Sequence, residues 1–395
     1  MVKGFWKKLA MSRRDLDRPI LALAPMADVT NAAFRRIIAK YGKPDVMFTE
    51  FVSCDGLCSA GQKNLLPILK FTKKERPIVA QIFGAKPENF YESAKLIKKL
   101  GFDGLDINMG CPDKKVLKQG AGAALINNPK LAQEIIRQTK KGARLSGGQA
   151  GEMPVSVKTR IGYDKYDKKE FKKWLMALLE EKLAAIIIHA RTKKEMSLVP
   201  ARWDVVAEAV KIRDKFFGDK KDKTLILGNG DVQSVADAEE KARISGADGV
   251  MIGRAVFGNP WLFASEKKIM SFATPFAARR REKSKFSAEN YVSRATLFSY
   301  EQSKLENKKY SCGANDIIFF RDLKLSVLLE HTKLFEKINK GQNFDVMKKH
   351  FKSYVSGFPG AKELRIKLMA CKNAKEVELV LKNYHYLYVA IASLR

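Results

Sequence analysis

The sequence has little of what disulfide-rich, zinc-binding or membrane proteins need. Its 395 residues include five cysteines, an odd number without a Cys-x-x-Cys pair, which argues against a disulfide framework or a zinc site. No run reaches the roughly 18 apolar residues that span a membrane, and the first 18 residues lack a signal peptide's apolar core. We therefore expect a cytoplasmic protein with no metal ion and no membrane contact.

Acidic residues are scarce relative to basic ones. The chain has 74 Lys and Arg against 43 Asp and Glu, giving a formal net charge of +31 and a sequence pI of about 9.8. A charge of this size favours binding to a polyanion such as a nucleic acid. Basic residues alternate with aromatic ones in the second half, where Lys349, His350 and Tyr354 are candidate contacts. A solvated helix face is the alternative interpretation.

Eight short apolar runs recur at regular intervals. They occupy residues 20–25, 45–50, 78–83, 104–108, 155–160, 184–189, 224–229 and 248–253. Nearly continuous apolar runs are typical of strands buried on both faces of a parallel sheet, and helix-like stretches separate most of them. Eight such units in about 250 residues predict a (β/α)8 TIM barrel. An open, doubly wound sheet is the structural alternative.

The rest of the chain divides around this barrel. We predict an N-terminal arm at 1–18, the barrel at 19–265, a basic linker at 266–286 and a helical domain at 287–395. The arm is interpreted as an amphipathic helix packed on the barrel. Residues 146–151 are predicted to form a loop within the barrel, and residues 211–223 a charged extension before the seventh strand.

The ends of the apolar runs carry residues suited to chemistry. In TIM barrels the active site lies at the C-terminal ends of the strands. The candidates there are Pro25, Met26, Ala27, Glu50, Gln81, Asn108, Cys111, Lys158, Arg160, His189, Arg191, Asn229, Gly230, Asp231, Gly253 and Arg254. A lysine after a buried strand needs an anionic partner, and the loops after the seventh and eighth strands are the recurrent phosphate site. Alternatively, the glycines of these loops form ordinary turns, and His189 is a structural histidine without a chemical role.

Cys111 lies in a polar turn, Asn-Met-Gly-Cys-Pro, directly after the fourth apolar run. Cysteines buried for packing are more often found inside apolar runs, so this position favours a chemical role. A small residue filling a turn is the alternative. Cys54 and Cys58 are four residues apart but lack neighbouring ligands, so they do not indicate a metal site.

Several long strings resemble the tRNA-dihydrouridine synthase family (Dus), flavin enzymes that reduce particular uridines in tRNA. The most specific are GLDINMGCPDKKVLKQGAGAALINNP at 104–129 and DGVMIGRAVFGNPWLF at 248–263. The first looks nearest the bacterial B-type branch. Residues 347–365 resemble the helical tRNA-recognition domain that follows the barrel in this family.

The resemblance implies a role for each candidate. Cys111 matches the general acid. The segment Pro25, Met26 and Ala27 matches the part that lies against the flavin ring, and Gln81, Lys158 and His189 match side chains around the isoalloxazine. The FMN ribityl and phosphate region corresponds to Asn229, Gly230, Asp231, Gly253 and Arg254. Asn108, Arg160 and Arg191 match polar residues that face the substrate nucleotide or the flavin.

The resemblance also implies the reaction. Hydride from reduced FMN would reach C6 of uracil and a proton from Cys111 would reach C5, with electrons from NADPH or NADH. A thiol with an ordinary pKa of about 8.5 suits this acid role. No Gly-x-Gly-x-x-Gly fingerprint is evident, so the nicotinamide is expected to use the same cleft. The expected partner is tRNA, and we expect a monomer.

Two positions and one loop depart from the family pattern. Asp28 and Ala123 stand where the family often has Gly and Ser, and the loop after Thr192 lacks the usual aromatic residue and glycine. Two other functions stay open: a flavin barrel that acts on a free pyrimidine, and a non-catalytic RNA-binding protein on a barrel scaffold. An enzyme that acts on a free pyrimidine does not need a basic helical domain, which argues against the first alternative. A non-catalytic scaffold does not need the polar strand-end residues, which argues against the second.

Overall fold

The computed structural model describes residues 4–144, 152–220, 222–265, 268–269, 314–339 and 341–392. The chain divides into two compact units, one of Met1–Thr30 with Pro44–Gly253 and one of Asn31–Lys43 with Arg254–Arg395. The predicted loop at 146–151, nearly all of the predicted linker at 266–286 and the start of the predicted helical domain lie outside the described residues. The predicted domain boundaries therefore stay predictions.

The first unit contains an eight-stranded parallel barrel. Its strands are β1 Ile20–Leu23, β2 Met47–Ser53, β3 Ile78–Phe83, β4 Gly104–Met109, β5 Val155–Arg160, β6 Ala185–His189, β7 Leu225–Asn229 and β8 Gly249–Ile252. Each strand from β3 to β8 pairs in parallel with the strand before it, β1 pairs with β8, and a parallel bridge joins Ala22 to Val46. This closure confirms the TIM barrel and rules out the open sheet.

Helices alternate with most of the strands, as the helix-like stretches between the apolar runs predict. They are α1 Phe5–Leu16, α2 Ala32–Tyr41, α3 Cys54–Leu57, α4 Gln62–Leu65, α5 Pro87–Lys99, α6 Lys114–Lys118, α7 Pro129–Ala143, α8 Lys168–Glu180, α9 Trp203–Phe217 and α10 Val235–Ser245. Polar side chains fix several starts: Asn31, Asp167 and Ser234 each accept a backbone N–H of the first turn. Two short helices and two 3-10 turns follow β2, where the sequence shows no helical period.

Alternate residues of the strands fill the barrel with apolar side chains, among them Val79, Ile187 and Leu227. Trp6 of α1 is fully buried in the same cluster, which confirms the amphipathic helix predicted for the N-terminal arm. The charged extension predicted at 211–223 is only partly correct, because α9 continues through Phe217. Arg213 on its last turns is buried and donates to Asp248.

In its described residues the second unit contains helices and the turns between them, and no strand. Besides α2 it contains α11 Ala314–Ile338, α12 Asp345–Tyr354, α13 Ala361–Ala370 and α14 Ala374–Ala392. Its core includes Phe335, Met347, Phe351 and Leu368, all at or near zero exposure. These side chains recur at helical spacing along α11, α12 and α13, so each helix buries one apolar face against the others.

Two histidines lie inside this helical core with most of their ring nitrogens unpaired. The rings of His331 and His350 are 4.6 Å apart, and Phe34 stacks on His350 at 5.1 Å. Both nitrogens of His331 and Nε2 of His350 are unpaired. Burial lowers the pKa of His350 to about 3, and the charge of Lys349 adds to this. Burial likewise holds the pKa of His331 well below its usual value.

These histidines should make the second unit sensitive to acid. An unfolded histidine protonates below a pKa of about 6.5, whereas buried His350 does not, so falling pH favours the unfolded state. His350 alone should remove about 2 kcal/mol between pH 7.5 and 5, a roughly 30-fold loss of hydrogen-exchange protection in α12. Exchange in the wild type and in His350→Leu measures this.

The variant should lose much of that pH dependence, while α8 in the first unit serves as the internal reference. If α12 loses the same protection between pH 7.5 and 5 in both proteins, His350 is not the cause of the acid sensitivity.

Candidate active site

The register of the barrel brings the predicted residues together at one end of the strands. Gln81 lies opposite Asp106, Asn108 opposite Lys158, and Arg160 opposite His189. His189 in turn lies opposite Asn229. Since the strands are parallel, these side chains share the carboxyl end of the barrel, as expected for the active site of this fold.

A line of hydrogen bonds runs through the polar residues of β3, β4 and β5. Gln81 Nε2 donates to Asp106 Oδ2 at 2.7 Å, and Asn108 Nδ2 donates to Gln81 Oε1 at 3.1 Å. Ser156 Oγ donates to the other carboxylate oxygen of Asp106 at 2.6 Å. The sequence analysis missed Asp106 and Ser156. The signal was available, because Asp106 lies two residues before Asn108 and so shares its face of the strand.

Asn108 also shapes the turn that carries Cys111. Its Oδ1 accepts the backbone N–H of Gly110 at 3.1 Å and of Cys111 at 2.9 Å. On the other side, the carbonyl of Cys111 accepts the N–H of Ala123, and a side chain at Gly122 would approach that carbonyl within 2.9 Å. The turn is therefore fixed from both sides.

The Cys111 thiol is partly buried, and burial raises its pKa above the ordinary value. The carboxylate of Asp113 adds to the increase, while the charges of Arg160 and Lys158 oppose it. The side chain therefore holds its proton near neutral pH, which a proton donor needs and a thiolate nucleophile does not.

Lys158 is a partly enclosed cation whose hydrogen bond goes to a neutral group. Its Nζ donates to Asn229 Oδ1 at 3.1 Å, and Asn229 Nδ2 donates to the carbonyl of Met251. Burial lowers the pKa of Lys158 to about 8, and the nearby Arg160 charge contributes. An ammonium in this position is suited to an anionic ligand, because an anion would offset its desolvation.

Arg160 and Arg191 hold the loop between β6 and α9. Arg160 donates to the carbonyls of Gly110 at 2.8 Å and Thr192 at 2.9 Å. Arg191 donates to the carbonyl of Val199 and pairs with Asp231. Both guanidiniums are almost fully buried. These contacts are to the protein's own loops and to Asp231, and a role of the two arginines in facing a nucleotide or a flavin stays a prediction.

Gly230 lies where the chain passes close to other atoms. Its φ is +130°, and a Cβ there would come within 2.8 Å of the Ala201 Cβ and 3.2 Å of the His189 ring. Trp203 Nε1 donates to its carbonyl at 3.0 Å, and Asp231 accepts the N–H of Ala201 at 2.9 Å. Only glycine fits this position without strain.

The segment after β1 is also shaped by left-handed backbone. Met26 N–H donates to Thr30 Oγ1 at 2.9 Å, and Asp28 N–H donates to Glu50 Oε1 at 2.6 Å. Asp28 has φ +55°, a conformation that glycine adopts freely and aspartate tolerates better than most residues. Aspartate thus supplies here a backbone conformation that glycine readily takes.

Four of the candidates lie in the second unit. Arg254 is exposed and begins a 3-10 turn, and Lys349 is exposed on α12. His350 and Tyr354, however, are 1% and 0% exposed. The prediction that these two contact tRNA is wrong for their side chains, because an apolar helical core surrounds them. Their spacing of four residues reflected the buried face of α12.

The described residues contain no cluster of three or more side chains suited to a metal ion. Among the same residues, no helix combines the length and apolar character of a membrane span.

A family model described as dihydrouridine synthase (Dus) matches residues 22–389. This chain belongs to the dihydrouridine synthase family. It is 35% identical over 392 residues to a probable tRNA-dihydrouridine synthase 2 of Bacillus subtilis, covering 98% of this chain and 99% of that protein. It is 36% identical over 387 residues to a probable tRNA-dihydrouridine synthase of Staphylococcus aureus, covering 97% and 96%.

A solved 2-naphthoyl-CoA reductase complex has a TM-score of 0.46 and 12% identity, covering 64% of this chain and 50% of that chain. The residues that carry the resemblance to dihydrouridine synthases lie at the strand ends described above.

The protonation of Cys111 can be measured directly. Because burial raises its pKa, the midpoint of alkylation by iodoacetamide should lie at higher pH than that of an ordinary cysteine. Mass spectrometry of the Cys111 peptide follows the rate of alkylation. Asp113→Asn keeps the helix-capping oxygen and removes one charge, so the alkylation midpoint should move to lower pH. A midpoint below that of an ordinary cysteine would contradict the raised pKa.

Proposed function

We propose that this protein reduces specific uridines of tRNA to 5,6-dihydrouridine, using FMN and electrons from NADPH or NADH. Membership of the dihydrouridine synthase family over nearly the whole chain supports the activity. The observation that carries the proposal is the turn of Cys111, a protonated thiol held at the carboxyl end of a TIM barrel beside a cation. The net charge of +31 suits a polyanionic substrate.

The strand-end residues are compatible with a flavin. Lys158, whose hydrogen bond goes to the neutral Asn229, would stabilise negative charge on the pyrimidine side of the ring. Gly230 lets the loop that carries Asn229 and Asp231 pass close to Ala201 and His189, and a ribityl or phosphate group would bind at this loop. Pro25, Met26 and Ala27, with Gln81 and His189, would border the ring, and Gly253 with Arg254 would complete the phosphate region.

The chemistry divides between cofactor and protein. When bound, FMN would supply the electron pair for reduction of the C5–C6 double bond of uracil. Cys111 supplies the proton for C5, and the turn held by Asn108 fixes the position of that thiol. Lys158 is the nearby cation that favours negative charge in the site.

The tRNA must present its target uridine unstacked at the end of the barrel, which requires a few kcal/mol. We assign the grip on the rest of the tRNA to the basic surface, including exposed Lys349, and to the helical second unit. His350 and Tyr354 contribute to this unit as core residues.

The activity is tested in a bacterial strain that lacks its own dihydrouridine synthases. The strain receives the wild-type gene, Cys111→Ala or Cys58→Ala. Nucleoside mass spectrometry should find dihydrouridine with the wild type and with the exposed-cysteine control. We expect Cys111→Ala to lower its rate of formation by about a hundredfold or more, because a general acid contributes at least that much.

The other outcomes separate the alternatives. A flavin-containing protein that forms no dihydrouridine would favour an enzyme acting on a free pyrimidine. A protein without flavin that still binds tRNA would favour the scaffold. If Cys111→Ala forms as much dihydrouridine as the wild type, the proposed activity stands but Cys111 is not the general acid.

The flavin site is tested with two glycine variants. Gly230→Ala places a methyl group within 2.8 Å of Ala201 and 3.2 Å of His189, so we expect at least a tenfold loss of bound flavin. Gly218→Ala is the matched control, because Gly218 also has a positive φ of +56° but no neighbour within 4 Å. Visible absorbance per protein measures the flavin. Equal loss in both variants would indicate general instability instead of a site effect.

A further inference from the structure

Asp106 is a fully buried acid to which neither the sequence analysis nor the proposed mechanism gives a role. It lies in the middle of β4, and its two oxygens accept from Gln81 and Ser156. A buried carboxylate is expensive unless both oxygens are hydrogen-bonded. Both oxygens of Asp106 have a hydrogen-bond partner. One partner, Gln81, is hydrogen-bonded to Asn108, which in turn accepts the N–H of Cys111.

The hydrogen bonds from Asp106 to Cys111 all run in one direction. An ionised carboxylate can only accept, so Gln81 must turn its NH2 group towards Asp106 and its oxygen towards Asn108. Asn108 must then turn its NH2 group towards Gln81 and its oxygen towards the turn. That oxygen is what the N–H groups of Gly110 and Cys111 require.

The reverse arrangement is unfavourable. A protonated acid that donates to Gln81 would force both amides to flip, and the NH2 group of Asn108 would then face the N–H groups of the turn. Two donors facing each other in a buried site leave both unsatisfied. The ionised form of Asp106 therefore fixes the orientation of both amides.

We infer that Asp106 is a positioning residue for Cys111, acting through the two amides of Gln81 and Asn108 that hold the cysteine turn. The inference rests on the proposed function of Cys111 as the proton donor. Asp106 itself stays away from the reacting atoms and acts on them only through the turn.

The charge state of Asp106 lies within reach of ordinary pH. Burial raises the pKa of its carboxyl to about 6, opposed by the hydrogen bonds from Ser156 and Gln81 and by the charge of Lys158. Gln81 faces it from β3, and Ser156 and Lys158 face it from β5. Protonation as the pH falls below about 6 would weaken the directed chain, so kcat should fall there.

Three variants test this with tRNA reduction as the readout. Asp106→Asn keeps an acceptor oxygen but cannot ionise, so kcat should fall several-fold at pH 8 and its decline below pH 6 should disappear. Asp106→Leu leaves Gln81 without an acceptor, and kcat should fall tenfold or more while KM for tRNA changes little. Ser156→Ala, the matched control, removes a bond that lowers the Asp106 pKa, so the decline should move to higher pH.

A second readout is independent of the reaction. Iodoacetamide should alkylate Cys111 several-fold faster in Asp106→Leu than in the wild type, since the turn is less firmly held, while Cys58 reacts equally in both. If Asp106→Leu does not fold, alkylation is measured in Asp106→Asn, where Cys111 should also react faster than in the wild type but by a smaller factor.

An unchanged acidic decline in Asp106→Asn, or unchanged Cys111 alkylation in a folded Asp106→Leu, would overturn the inference. If wild-type protein makes no dihydrouridine, the proposed function fails, and alkylation still decides whether Asp106 positions the thiol.

Discussion

Burial inside the closed barrel requires Asp106, Gln81 and Ser156 to find their hydrogen-bond partners within the protein. All three are fully buried, so an unpaired amide or acid among them would destabilise the fold by roughly 2 kcal/mol or more. Asp106 meets this requirement by accepting from Gln81 and Ser156, and the half-buried Lys158 donates to Asn229. The site is thus a consequence of the strand register as much as of the residues themselves.

The three buried or half-buried cations at this end are satisfied in different ways. Arg160 and Arg191 have backbone carbonyls or an acid as partners, and both are nearly inaccessible. Lys158 donates to a neutral amide and keeps a pKa near 8. Lys158 therefore presents positive charge to a ligand in the barrel, while the two buried arginines maintain the shape of the loops around it.

Much of this arrangement was predictable from the sequence. Eight apolar runs gave the barrel, and the rule that TIM-barrel sites lie at strand ends gave Cys111, Lys158 and Asn229 as neighbours. Asp106 was missed because it lies within a strand, where only its spacing from Asn108 indicates a shared face. His350 and Tyr354 were misassigned because helical spacing identifies a common face without telling whether that face meets solvent or the core.

Arg160 has a consequence for how relatives of this protein can diverge. The same guanidinium bonds the turn before Cys111 and the start of the β6–α9 loop, through the carbonyls of Gly110 and Thr192. The two loops are therefore mechanically coupled. If the β6–α9 loop were replaced by that of another family member, a shift of the Thr192 carbonyl would move Arg160 and, through it, the turn of Cys111. The two loops therefore have to be exchanged together.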